Sequence, residues 1–188
     1  MAAATNSQQS STALPSGTWN VDPVHSTVEF QVLNMGIVWV KGLFTDFKGT
    51  LESTGEPAGV RASGTIEVAS LDTRSEQRDQ HLRAAEFFDV ENHPQITFES
   101  TRIEPSADRL RVVGNLTIKG ITREVQLDAT VHGTVDDPWG HQRAGVEATG
   151  TLNRRDFDLN WDVRTPSGTP LAGDEVRLIL HLGAVKSA

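Results

Sequence analysis

A chain of 188 residues is the length of one ordinary domain with room for a sizeable core, and 37% hydrophobic residues with 16 glycines besides is the balance of a soluble globular protein. Seventeen Lys and Arg against 25 Asp and Glu leave a net charge of −8 with no basic block, which argues against a general affinity for nucleic acid or for anionic membrane. The absence of cysteine excludes disulfides, thiolate catalysis, iron–sulfur clusters and Cys-ligated zinc.

Residues 1–17 are mostly Ala, Ser, Thr and Gln with one Pro, and they read as a disordered tail ahead of a single domain over 18–184. The tail lacks the basic start and the apolar run of about 7–15 residues that a secretory signal needs, so a cytoplasmic protein is expected. From Val28 onward apolar and polar residues alternate, the strand signature, with Val28, Phe30 and Val32 on one face. Further strands are predicted over Gly42–Leu51, Val60–Ala69, Gln95–Ile103, Arg109–Lys119, Ile121–Gly133, Arg143–Asn153 and Glu175–Gly183, separated by Gly-, Pro- and Asp-rich turns. Long strands joined in series with one apolar parity each suit an all-β closed up-and-down barrel or a sandwich.

One stretch breaks the alternation. Residues 72–90 are rich in helix formers, and Thr73 and Glu76 have capping-box spacing, so a helix of about three turns is predicted between strands. Phe87 and Phe88 follow it. Such a segment either lies over a barrel opening with its aromatics plugging the interior or is a connector anchored by the pair.

An eight-stranded barrel is near the size at which side chains fill the interior or leave room for one small ligand. Gly64, Gly114, Gly133 and Gly150 fall on apolar parities and either make room or mark bends. Around a cavity the sequence supplies Trp39, Phe44 and Phe47, then Phe87 and Phe88, then Phe157 and Trp161 on what reads as an aromatic strand. Phe30, Val32, Leu82 and Phe98 share the inward parities and complete the apolar set. Arg102 shares parity with Ile96 and Phe98, which predicts an inward guanidinium able to meet a headgroup; Arg154 and Arg155 are further cations whose burial would need a carboxylate such as Asp156 or a ligand anion.

Several motifs resemble the YceI-like family of lipocalin-like, polyisoprenoid-binding proteins. They are Trp19-Asn20-Val21-Asp22-Pro23-Val24-His25-Ser26, the stretch from Leu71 to Arg83 continuing through Phe87-Phe88-Asp89-Val90, Gly114-Asn115-Leu116-Thr117-Ile118-Lys119-Gly120, and Asn153-Arg154-Arg155-Asp156-Phe157. The resemblance spans about Thr18 to Leu182. It implies an eight-stranded antiparallel lipocalin-like barrel with a helical segment, holding an isoprenoid chain, quinone or fatty amide, and it implies dimers. Where many relatives have His after the first strand this chain has Asn34, and where many have Gly after the late Phe it has Asp158.

Catalytic and metal chemistry find no support in the spacing. Six histidines occur with no i, i+4 pair, and His25-Ser26 alternate across a strand and cannot share a proton-transfer line. No nucleophile elbow and no phosphate loop occur. No cofactor is expected beyond a bound isoprenoid-type lipid or quinone, and the expected partner is a long hydrophobic small molecule, with no nucleic acid and no stable membrane insertion. The leading expectation is a non-enzymatic carrier. An enzyme acting on such a lipid, with a polar cluster at the mouth, and an interaction module with a solid barrel are the alternatives.

Overall fold

The computed structural model describes residues 13–187. Eleven strands form one sheet: β1 (Gly17–Val21), β2 (Thr27–Asn34), β3 (Val38–Phe44), β4 (Phe47–Ser53), β5 (Val60–Glu67), β6 (Leu71–Asp72), β7 (Gln95–Ser106), β8 (Arg109–Ile118), β9 (Ile121–Asp136), β10 (Gln142–Asn153) and β11 (Ala172–Lys186). Every pairing is antiparallel. β1 and β2 are one long strand with a corner at a 3-10 turn, Pro23–His25, capped by Asp22, whose side chain accepts from Val24 N. β3 and β4 form a second bent strand, interrupted at Thr45–Asp46.

Counting each bent strand once and setting aside the two-residue β6, the staves number eight. Neighbours in sequence pair around the ring, and β11 closes it by pairing with both β1, Trp19 opposite Lys186, and β2, His181 opposite Thr27. The architecture is the closed up-and-down barrel that alternation suggests, with one helix, α1 (Glu76–Arg83), between strands. Closure leaves few edges to protect.

The two ends differ. At the base, Leu14 and Trp19 pack with Leu51, Ala144 and Ala184, and Trp19 is fully buried. Ser53 Oγ donates to Leu14 O at 2.5 Å and Trp19 Nε1 to Pro15 O at 2.9 Å, tying the segment before β1 across that end. The expected tail of residues 1–17 therefore stops too late: residues 1–12 lie outside the described residues, but Leu14 belongs to the core and Gly17 opens β1. A lone Leu amid Ser, Thr and Ala has no periodic neighbours to mark it.

At the mouth lie α1 and the loops after β5 and β10. The helix has eight residues, shorter than the predicted three turns, because its N-cap is Ser75, which accepts from Arg78 N, while Thr73 is engaged elsewhere. The segment after Asn153 is a 3-10 turn, Arg154–Phe157, not a strand.

Candidate functional site

The barrel encloses a cavity of about 290 Å³ running from Leu14 at the base to Leu82, Phe87, Phe88 and Leu159 at the mouth. Its walls are almost wholly apolar: Val60, Ile103, Leu110, Val112 and Leu127 line the lower half, and Phe47, Ile96, Leu116 and Ile118 the upper. The volume sits at the lower edge of the range of about 300–1,000 Å³ typical of small-molecule pockets.

Eight of the twelve sequence-derived site residues line this space: Phe30, Val32, Phe44 and Phe47 from the bent strands, Leu82, Phe87 and Phe88 from the helical segment, and Phe98 from β7. Four do not. Trp39 has the opposite parity to Val40, Gly42 and Phe44; it lies on the outer face, with the Arg177 guanidinium stacked 3.6 Å from its ring centroid. Arg102 also points out, half-exposed and paired with Glu104 at 2.9 Å. A β-bulge between Ser100 and Arg102 shifts the register, so inward positions pass from Ile96 and Phe98 to Ile103. Phe157, the last residue of the 3-10 turn, is buried outside the cavity lining, and Leu159, two residues on, reaches the cavity instead. Trp161 lies outside Phe87, ring centroids 5.4 Å apart.

The glycines mostly admit neighbouring side chains. Phe98 covers Gly114, and Leu127 covers Gly150, where an added Cβ would meet Leu127 Cδ2 at 2.6 Å. Gly133 has φ +121° beside the bulge that leaves His132 unpaired between β9 and β10. Gly64 alone of the four lines the cavity; it pairs with Gly49, another inward glycine, and a Cβ there meets only Lys48 O at 3.4 Å. That pair hollows the wall.

The mouth is closed by rings and a tethered helix. Phe88 packs edge-on to Phe44 at 6.3 Å, and Phe44 against Phe30 at 5.5 Å. Phe87 meets His81 edge-on at 5.0 Å, and His81 in turn hydrogen-bonds Glu86 at 2.5 Å. Arg83 Nη2 donates to Leu71 O at 2.6 Å, fixing the last helical turn to β6.

Among the described residues, Arg154 is the one strongly buried cation on the cavity's edge, 4% exposed. Burial lowers its pKa, opposed by the Asp174 carboxylate 2.9 Å away. Its guanidinium also donates to Gly173 O, Leu159 O and Ala172 O. Asp174, which also takes Arg155 Nε at 2.8 Å, is thus the compensating carboxylate that the sequence reading sought in Asp156.

Away from the cavity, a charge cluster ties the base together. Arg143 donates to Asp137 Oδ2 at 2.7 Å and to Asp22 Oδ2 at 3.0 Å, and His25 Nδ1 lies 2.8 Å from Asp22 Oδ2. Burial works against the Asp137 carboxylate, but Arg143 and the backbone N–H groups of His141 and Trp139 outweigh it and hold the pKa at about 2. Asp22 is also lowered, chiefly by its hydrogen bond with His25. These groups staple two base loops to the ring and do not line the cavity. Among the described residues no three His, Asp or Glu side chains are grouped to hold a metal, and no helix is long and apolar enough to cross a membrane.

Comparisons with known proteins agree with this architecture. Among solved structures, BcnA of Burkholderia cenocepacia superposes with a TM-score of 0.74 at 27% identity, covering 87% of this chain and 98% of its own. A Campylobacter jejuni YceI protein gives 0.70 at 27% identity over 81% of this chain and 88% of that one. A domain from Saccharophagus degradans, described as polyisoprenoid binding and implicated in plant cell wall breakdown, has the same fold at 14% identity, with a TM-score of 0.68 over 90% and 98%. By sequence, a UPF0312 protein of Pectobacterium atrosepticum and Protein YceI of Salmonella arizonae are each 39% identical over 163 residues, 86% of this chain and 82% of theirs. The model of the YceI-like domain matches residues 19–184, nearly the span of the barrel, and with those relatives it makes the chain a member of the YceI-like family.

Proposed function

We propose that this protein is a carrier that takes one long apolar molecule, an isoprenoid-type chain or isoprenoid quinone, into its barrel and releases it unchanged. The observation that carries the reading is the enclosed cavity with carbon on nearly every wall and a lid of helix and phenylalanines at one end. Burying about 400 Å² of hydrocarbon at about 25 cal/mol per Å² gives a gross gain of about 10 kcal/mol, from which ordering costs are subtracted, so apolar burial is the main source of affinity. The polyisoprenoid-binding description of the Saccharophagus degradans domain supports the same ligand class. Absence of turnover is supported by the siting of Asp22, Asp137 and Arg143 at the base, away from the lining, and by the full engagement of Arg154 with the carbonyls of Gly173, Leu159 and Ala172 and with Asp174.

The test is mass spectrometry of the lipid extract of protein purified from its native host, together with a Gly64→Leu variant. Gly64 has no positive φ and an open inner side, so a leucine fills the cavity without backbone strain. The expected outcome is an intact isoprenoid-class molecule bound to the parent and lost from a folded Gly64→Leu protein. Equal uptake by both overturns the cavity as the site, and a product accumulating with time overturns the carrier.

A further inference from the structure

The β2–β3 hairpin ends beyond the cavity mouth in four residues, Asn34-Met35-Gly36-Ile37, with Ile37 N donating to Asn34 O at 3.0 Å. Met35 and Gly36 have φ of 49° and 73°, the type I′ geometry that favours Asn-Gly. A methionine therefore occupies a left-handed position that disfavours it, and the residue is 41% exposed. Ile37 is 75% exposed and Val38 53%.

This tip is not isolated. Met35 N donates to Leu171 O and Leu171 N to Val163 O, placing the exposed Val163 beside it in the loop that leads from Trp161 back into β11. Val32 and Val176, which line the cavity, pair across β2 and β11, so the tip stands about 7 Å beyond the lining at about 3.4 Å per residue. An apolar surface thus continues the apolar interior at the end covered by the phenylalanine lid.

We propose that the Met35–Val38 tip, with Val163, dips into the surface of a lipid bilayer and delivers the mouth of the barrel to it, so that the ligand passes between membrane and cavity without crossing water. This rests on the carrier reading. Four side chains are far too few for a stable protein interface, which uses about 20–30 residues a side, but they suit shallow insertion, whose strength scales with buried apolar area. Arg164, the neighbouring cation, is paired with Asp162 at 3.0 Å, and the chain carries a charge of −8, so attraction to anionic lipid does not drive the contact. The preferred surface is electrically neutral and docking is insensitive to salt.

The full chain is tested by co-sedimentation with large phosphatidylcholine vesicles and, separately, by uptake of geranylgeraniol from solution. Parent and M35N/I37S proteins are compared, with W139S as control, since Trp139 is 77% exposed at the opposite end. M35N restores the residue that the turn prefers, so a loss of docking cannot come from unfolding if its Tm is at least the parent's. Expected are a roughly tenfold weaker vesicle association of M35N/I37S, an unchanged one of W139S, and unaltered uptake from solution by all three. Absence of parent docking, an equal loss in W139S, or docking only to vesicles with anionic lipid overturns the proposal. Vesicle docking by a parent that takes up no geranylgeraniol keeps the docking surface and overturns the carrier instead.

Discussion

Asp79, in the first turn of α1, accepts two hydrogen bonds from Thr73, one from the backbone N–H at 2.9 Å and one from Oγ1 at 2.6 Å, and both residues are buried. Arg78 adds Nε to Thr73 Oγ1 and Nη2 to Thr73 O. The first turn of the lid helix is therefore held by one threonine whose methyl lies over Gly42, beside the Phe30 ring. Replacing Asp79 with Ala leaves two buried donors unmatched and costs about 2 kcal/mol, read as a fall in Tm, together with faster release of a bound fluorescent apolar probe. A fall in Tm without faster release would make the contact structural only.

Phe87 and Phe88 separate the cavity from the outer residues Trp161 and His81. In a Phe87→Ala/Phe88→Ala protein, stopped-flow release of the probe is expected to quicken by about tenfold for each ~1.4 kcal/mol of barrier that the rings supply, while the barrel's far-UV spectrum persists. Unchanged release with lowered stability would make them core anchors.

Asp158 follows the Arg154–Phe157 turn in the left-handed conformation, φ 57°, which glycine adopts at no steric cost. Its ion pair with Lys119 is long, 3.7 Å, and the Asp158 side chain is 60% exposed, so it contributes little. Asp158→Gly is expected to raise stability by about 0.5–1 kcal/mol in urea titrations, since relief of the left-handed strain exceeds the lost contacts. A decrease would mean that the Asn160–Asp158 hydrogen bond matters more.

Stability at low pH should depend on the base cluster. Asp137 folds with a pKa of about 2 and Asp22 with a lowered one, both below their ordinary value near 3.8. A depressed folded-state pKa stabilises the fold above the unfolded value, and this contribution fades as pH falls from about 4 toward 2. Thermal melts from pH 6 to pH 2 are expected to show a steep acid limb that Asp137→Asn flattens; parallel limbs would remove Asp137 as its source.

Alternation in Val28, Phe30 and Val32 was enough to place the inner face of β2, and the polar 72–83 segment ahead of two phenylalanines was enough to find the lid. What the pattern hides are single-residue events. One bulge turns Arg102 outward, and one 3-10 turn hands the cavity position from Phe157 to Leu159. The strand assigned to Gly42–Leu51 begins at Val38 and bends at Thr45–Asp46, so the outward parity of Trp39 is visible only once its partner Leu33 is known. Leu14 and β1 escape detection because a five-residue strand after a polar stretch has too few turns of the pattern to register.

Since Trp19 lies opposite Lys186, the first and last staves are neighbours, and the order of the eight around the ring is cyclic. A circularly permuted chain, in which a short linker joins residue 187 to residue 13 and a new start is cut at Asp108, after the left-handed Ala107 between β7 and β8, keeps every strand pairing and the Leu14 plug. The cut lies at the base, on the opposite end from lid and tip, so a permuted barrel that still binds its ligand would place the information for uptake in the ring and mouth rather than in the sequence in which the staves are made.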